Sequence, residues 1–441
     1  MRKTISLLVL FIFAISCSAV AQNQKAASQP VAFIGVNVVP MDRERVIENQ
    51  TVIIRDGRIA EIGPSSKVKI PQDAMRVEAQ GKYLMPGLAE MHGHLPHPNQ
   101  GEAVAQSFLT LFVANGVTTV RGMFGFPNHP ALRDRIAKGE VLGPRLYAAS
   151  PALSGQSVHS AEEAEQLVRK YKQDGFDLLK VHEGLSKESY DRIVKVAAEV
   201  GIRFGGHVAN DVGLERALKS RQSSIEHLDG YLEAIDVNTV DDNTIKKLAM
   251  MTKEAGAWVT PTMALWQTFM GTESVESLRQ RPELKYMPQQ MINQWTQQRT
   301  NQIANNKEPQ TGLKVIEFRN RLLKILYDTG VGILLGSDAP QLFSVPGFSL
   351  HREMQAMVKA GLTPYQVIES GTRKPAIYLN AEKEFGTVEV GKWADLILVD
   401  DNPLKDVGNV AKRAGVMLRG RWISESDLRK MLDQIAASYA Q

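Results

Sequence analysis

Cysteine is almost missing from this sequence: Cys17 is the only one among 441 residues. No disulfide can form within the chain, so stability must come from an apolar core and from any bound metal. A strong charge of one sign is missing too. The formal net charge is +4, and the lysines and arginines are scattered rather than clustered, which sets aside a nucleic-acid surface. No long polar or low-complexity tract argues for disorder. The N-terminal apolar run, Leu7 through Ile15, is short for a membrane span. Arg2 and Lys3 precede it and Ala19-Val20-Ala21 follows it, so residues 1–21 read as a signal peptide cut before Gln22. The product is expected to be exported, to the periplasm or the medium, with no stable membrane span after cleavage. Retention of the run as an N-terminal anchor is one alternative. Lipid anchoring through Cys17, in the imperfect box Ala14-Ile15-Ser16-Cys17, is another.

What is present is length and alternation. A chain of 441 residues exceeds one ordinary core, so a large domain with a smaller one is expected. Val31–Val39, Thr51–Arg55, Arg58–Ile62 and Met75–Glu78 read as strands, with Asp56-Gly57 as a hairpin turn. Gly386–Val399 and Ala414–Ile423 have the same texture. Residues 30–85 and 381–425 are therefore expected to share one small β-sandwich, followed by a C-terminal helix at 426–441. Between them, residues 86–380 alternate strands with amphipathic helices. Eight strands are read: Leu88–Leu95, Val117–Met123, Arg145–Ser150, Phe176–His182, Arg203–Val208, Ser223–Asp229, Trp258–Leu265 and Val331–Asp338. Ala161–Gln173, Lys187–Val200 and Leu214–Ser220 read as helices between them. Eight βα steps of this length predict an α/β fold, a (β/α)₈ TIM-type barrel. A Gln-rich insertion, 266–320, is expected to contain helices and to cover one barrel end.

Chemistry-bearing residues fall at the carboxyl ends of these strands, the end where such barrels carry their sites. His92 and His94 are two apart on the first strand, so both imidazoles share a face. Lys180 sits in the apolar fourth strand, where desolvation favours a neutral amine able to take up carbon dioxide as a carbamate. His207, His227 and Asp338 end the fifth, sixth and eighth strands. Singly, each of these reads equally well as a capping acid, a core histidine or a rim ion pair. Together they predict a metal centre.

The surrounding motifs carry a resemblance. Leu84-Met85-Pro86-Gly87-Leu88, Gly116-Val117-Thr118-Thr119-Val120-Arg121, Gly336-Ser337-Asp338 and the run Gly386 to Leu396 are similar to the amidohydrolase superfamily, in its two-metal, carboxylated-lysine branch. Within it the chain looks closest to the imidazolonepropionase and prolidase-like group. The resemblance implies two divalent ions, zinc suiting the donors best. His92, His94 and Asp338 would hold one ion and His207 and His227 the other. Carboxylated Lys180 and a hydroxide would bridge them. It implies hydrolysis of a C–N bond in a small substrate such as a dipeptide or N-acyl amino acid, with Asp338 as proton shuttle. Homo-oligomers are common in the group.

Lesser candidates are Tyr231 as oxyanion donor, His182 as a substrate or supporting contact, and Arg121 as a partner for a substrate carboxylate or a neighbouring acid. Arg279, Arg281, Lys285 and Arg299 in the insertion are further carboxylate partners, or solvated charges. His97, His129 and His159 read as surface residues. A one-metal deaminase on the same barrel is a rival reading, but it lacks a use for Lys180 and places an acid soon after the fifth-strand histidine, where Asp211 is the nearest. Cyclic amides or esters would suit the same chemistry. A non-catalytic scaffold is the reading from another class, although none of the six ligand types is missing.

Overall fold

Apolar strands with short polar ends need both faces covered, and helices alternating with them supply that cover. The computed structural model describes residues 29–305 and 309–440. The signal segment and Cys17 lie outside them. Eight strands meet in parallel: β6 (Leu88–Gly93), β7 (Val117–Gly122), β8 (Arg145–Ala148), β9 (Leu178–Val181), β10 (Arg203–Gly206), β11 (Ser224–Glu226), β12 (Trp258–Thr260) and β13 (Gly332–Ile333). Regular pairing forms two arcs, β6-β7-β8 and β9 through β13. Backbone bonds close both seams. Ser150 N–H donates to Leu178 O at 2.9 Å on one side, and Asp338 N–H donates to His92 O at 2.7 Å on the other. The expected barrel is therefore present, with helices Ala161–Gln173 and Lys187–Val200 at the residues read from sequence.

The chain ends build one further sheet from β1 (Val31–Val38), β2 (Ile47–Arg55), β3 (Arg58–Pro64), β4 (Met75–Glu78), β5 (Tyr83–Pro86), β14 (Leu396–Val399), β15 (Arg413–Leu418) and β16 (Arg421–Ser424). Its order is β16-β15-β14-β5-β1-β2-β3, with β4 beside β1. Antiparallel pairing of β5 with β14 joins the two ends of the chain. Four strand spacings of about 4.8 Å would hold β16 and β1 about 19 Å apart on a flat sheet. The rings of Phe33 and Trp422 nevertheless lie 5.1 Å apart. The sandwich is thus one continuous sheet curled over its own core of Phe33, Val36, Ile54, Leu396 and Met417.

Strands end before the bounds read from sequence: the eighth, read as Val331–Asp338, is regular only over Gly332–Ile333, and the sixth ends at Glu226. The run read as Trp258–Leu265 is extended only to Thr260, then turns at Thr262 (φ 46°) into the helix Met263–Met270. The cause is distant in sequence. The Glu353 carboxylate accepts the N–H of Met263 and Ala264 at 2.8 and 2.6 Å, capping a helix start that has no local capping side chain. The insertion continues with helices Val275–Arg279, Gln289–Asn305 and Pro309–Thr329. Leu265, Leu278 and Trp295 pack with Phe108, Leu342, Phe343 and Ile435 of the helix Glu425–Tyr439. Leu342 and Phe343 closely follow Asp338, so the insertion covers the barrel rim that carries the ligand set.

Candidate active site

All six ligand-type side chains converge at the carboxyl ends of the barrel strands. The rings of His92 and His227 are 4.6 Å apart, and those of His207 and His227 are 4.7 Å apart. Lys180 Nζ lies 3.4 Å from His92 Nε2. His92, His94 and Asp338 place ligand atoms within 4.8 Å of one another. The backbone is bent to achieve this. His227, Thr262 and Asp338 all adopt left-handed conformations, with φ of 61°, 46° and 59°. Each such residue costs about 1–3 kcal/mol, and such strain concentrates at functional sites. Close approach of β6 to the last strand requires Gly336, where a Cβ would come 2.8 Å from His92 N.

The far nitrogens of three imidazoles are anchored. His92 Nδ1 bonds Glu226 Oε2 at 2.8 Å, His207 Nδ1 bonds Asp229 Oδ2 at 2.7 Å, and His227 Nδ1 bonds Thr262 Oγ1 at 2.9 Å. Oxygen acceptors on Nδ1 leave each Nε2 lone pair facing the centre. Burial holds His92 and His227 well below the ordinary histidine value and His207 at about 3, so the imidazoles are neutral, the form that binds metal. Burial lowers Lys180 to about 8, against the opposing pull of Glu226 and Asp338. His94 Nε2 and Asp338 Oδ1 are buried and 3.0 Å apart, yet neither makes a hydrogen bond. Two buried ligand atoms this close without a hydrogen bond fit a shared cation.

Three lesser candidates separate. His182 lines the cavity, with its ring 4.1 Å from His207. Its Nδ1 accepts from Glu183 N–H at 2.8 Å, which puts the ring proton on Nε2. Tyr231 does not reach the site: it is fully buried and its hydroxyl bonds Thr252 Oγ1 at 2.6 Å beneath the helix Asp242–Ala255. Arg121 is also withdrawn as a substrate contact. It is fully buried inside the barrel, where it donates to Met91 O, Ser224 Oγ, Tyr378 OH, Thr260 Oγ1 and Glu226 Oε1. Burial pushes Glu226 up, but the Arg121 guanidinium, Lys180 and the Ser224 hydroxyl together outweigh this and hold the carboxyl below its ordinary value. Arg121 therefore acts on the site through Glu226 and His92. Arg121→Ala should cost about 3–5 kcal/mol in denaturant unfolding, because Glu226 would be left buried without its partner. A raised KM with unchanged stability would restore the substrate-contact reading.

His97 and His159 are exposed as expected, but His129 is buried at the start of the helix His129–Lys138, 5.3 Å edge-on from Phe126. Burial, with His94 adding to it, lowers its pKa to about 4. Sequence reasoning missed Glu226, Asp229 and Thr262, the anchors of the three histidines. Glu226 had a signal: an acid within an apolar strand is as anomalous as Lys180. Glu90 was missed as well. Burial pushes it up to about 8, and it accepts the N–H of His92 and Ser337, tying β6 to the last strand.

A cavity of about 470 Å³ opens above the ligand set, walled by Phe124, Leu265, Trp266 and Phe269 with Glu183 and Gln341. The insertion therefore contributes two wall residues, Trp266 and Phe269.

Comparison with known proteins places this geometry. Residues 83–423 match the model of the Amidohydrolase family. A dihydroorotase of Anaeromyxobacter sp. (strain K) is 37% identical over 105 residues, which is 23% of each chain, so the match spans about a quarter of that relative. An imidazolonepropionase of Geobacillus sp. (strain WCH70) is 25% identical over 85% of this chain and 90% of its own. Among solved structures, a Xaa-Pro dipeptidase with bound methionine in its active site superposes with a TM-score of 0.69, covering 90% of this chain and all of that one at 20% identity, a likeness of fold.

Proposed function

This chain belongs to the amidohydrolase family, and on that premise we propose that it hydrolyses a C–N amide bond of a small substrate at divalent cations. The observation that carries the proposal is a convergence of ligand atoms: His94 Nε2 and Asp338 Oδ1, both buried without a hydrogen bond, with His92 Nε2 and Lys180 Nζ beside them. His92, His94 and Asp338 would hold one ion, His207 and His227 a second, with Lys180 as its carbamate between them. Zinc suits imidazole and oxygen donors. When bound, such cations supply Lewis acidity, lowering the pKa of a water toward neutrality and polarising a carbonyl.

The chain's own groups do the rest. Glu226, Asp229 and Thr262 fix the imidazole tautomers. Asp338 accepts the proton of the attacking water and returns it to the departing nitrogen. The C–N bond breaks, giving a carboxylic acid and an amine. His182, which lines the cavity, would donate from Nε2–H to the substrate. Dipeptides and N-acyl amino acids are the starting substrates to test, and export of the protein to the periplasm or medium suits scavenging of such compounds. Deamination is disfavoured, because Asp211, the first acid after His207, is exposed and does not line the cavity.

Purified protein should carry about two divalent ions per chain, and chelation should abolish amide hydrolysis scored by mass spectrometry on a panel of amides and dipeptides. About one ion per chain, with ammonia as the product, would transfer the case to the deaminase. Asp229→Asn should weaken metal binding by about 10–100-fold in a competition titration, since loss of such anchors typically costs that much. Unchanged affinity would remove Asp229 from the ligand-orienting set.

A further inference from the structure

Resting on the amide-hydrolase reading, the chemistry of the cavity wall narrows the substrate. Phe124, Trp266 and Phe269 present aromatic surface, with Phe124 5.8 Å from His94 and Trp266 5.7 Å from Phe269. This wall is braced. Arg319 lies 4.5 Å over the Trp266 ring and donates to His227 O at 2.7 Å and Pro261 O at 2.8 Å. One guanidinium thus ties the aromatic wall to the strand end that holds a ligand. Glu353 fixes the start of the same helix. A wall held in this way is preorganised for a flat or bulky apolar group.

The charge on the wall has one sign. Away from the ligand set, the acidic side chain that lines the cavity is Glu183, and Gln341 lines it as well. Among the described residues no arginine lines it, and its one lysine is Lys180, buried among the histidines. None of the insertion cations that a substrate carboxylate would need lines the cavity; Arg279 is exposed, and the other three are engaged elsewhere. Arg281 pairs with Glu273 at 2.9 Å and Arg299 donates to the carbonyls of Phe269 and Gly271, while Lys285 sits over the Tyr286 ring. A carboxylate at the non-reacting end of a substrate would meet Glu183 and no cation on the wall away from the ligand set, and like charges brought together across an interface are disfavoured.

We propose that the preferred substrate is an amide whose non-reacting end is aromatic or bulky apolar and bears no carboxylate, with Glu183 excluding free acids. That departs from free dipeptides and N-acyl amino acids.

The test uses metal-loaded full-length enzyme and two matched pairs. In the cleavable pair, para-acetamidotoluene and para-acetamidobenzoate, the methyl compound should show at least about tenfold higher kcat/KM, and Glu183→Gln should narrow that ratio by about fivefold or more. In the uncleavable pair, para-methyl- and para-carboxybenzohydroxamate, calorimetric titration should give the same preference and the same narrowing. Equal or tighter binding of the carboxylate member, or a ratio that Glu183→Gln leaves unmoved, overturns the proposal. Methyl-selective hydroxamate binding without cleavage of either anilide would uphold the wall chemistry and count against amide hydrolysis instead.

Discussion

Lys180→Ala should strip the protein of most of its divalent metal and lower kcat/KM by about 1,000-fold or more, a loss of about 4.1 kcal/mol of transition-state stabilisation. The argument begins with burial. Lys180 is 1% exposed, and its amine is 3.4 Å from an imidazole nitrogen that donates nothing to it. An ammonium there is penalised by desolvation, which brings its pKa down to about 8 even though Glu226 and Asp338 pull the other way. A lysine that served only as a cation would be badly housed among four histidines. As a carbamate it becomes an anion with two oxygens, in the place where cations would need one. Truncation to alanine opens space that a small carboxylic acid can enter, so acetate or propionate should restore part of both metal content and rate. Lys180→Met fills that space and should resist rescue. Full metal occupancy and activity in Lys180→Ala would end the bridging role, whatever the fate of the family assignment.

The architecture was legible because barrel strands are apolar on both faces, and so the eight runs stood out against amphipathic helices. The ligand set was legible for the same reason: a histidine, lysine or aspartate closing an apolar run has to be explained. The supporting residues were harder to read. Asp229 and Thr262 follow strand ends in stretches that resemble ordinary turns, and only the fold shows that they reach back to His207 and His227. Of the two readings of Arg121 the neighbouring acid holds and the substrate contact does not, because the register of β7 turns it from the rim into the barrel, 2.8 Å from Glu226. Tyr231 misled through proximity in sequence to His227, since the chain after β11 turns its ring under the neighbouring helix. The early end of β12 could not be read locally at all. Its helix is capped by Glu353, about ninety residues away in sequence, and no pattern within a window around Thr262 records that contact.

Asp338→Asn should leave the fold and the cavity in place while lowering kcat by about 10,000-fold, the upper end of what a positioned proton carrier contributes. Two structural facts make asparagine the informative replacement. Asp338 has φ 59°, and aspartate and asparagine tolerate this left-handed region better than other branched or bulky residues do. Its backbone N–H, which closes the barrel by donating to His92 O at 2.7 Å, is untouched by the change. What disappears is the basic oxygen. Oδ1 lies 3.0 Å from His94 Nε2 and 3.5 Å from His92 Nε2, and Oδ2 lies 3.6 Å from His227 Nε2, so the carboxylate spans the ligand set from a single position. An amide oxygen can still coordinate weakly, but it cannot take a proton from water and hand it to a departing amine. The loss should therefore fall on kcat with KM little changed, and it should persist when excess metal restores occupancy. Thermal unfolding should stay close to that of the unmodified protein. Turnover within about threefold of the parent would remove Asp338 as the proton carrier and leave it a ligand alone, in which case His182, a titratable group that lines the cavity, becomes the residue to replace next.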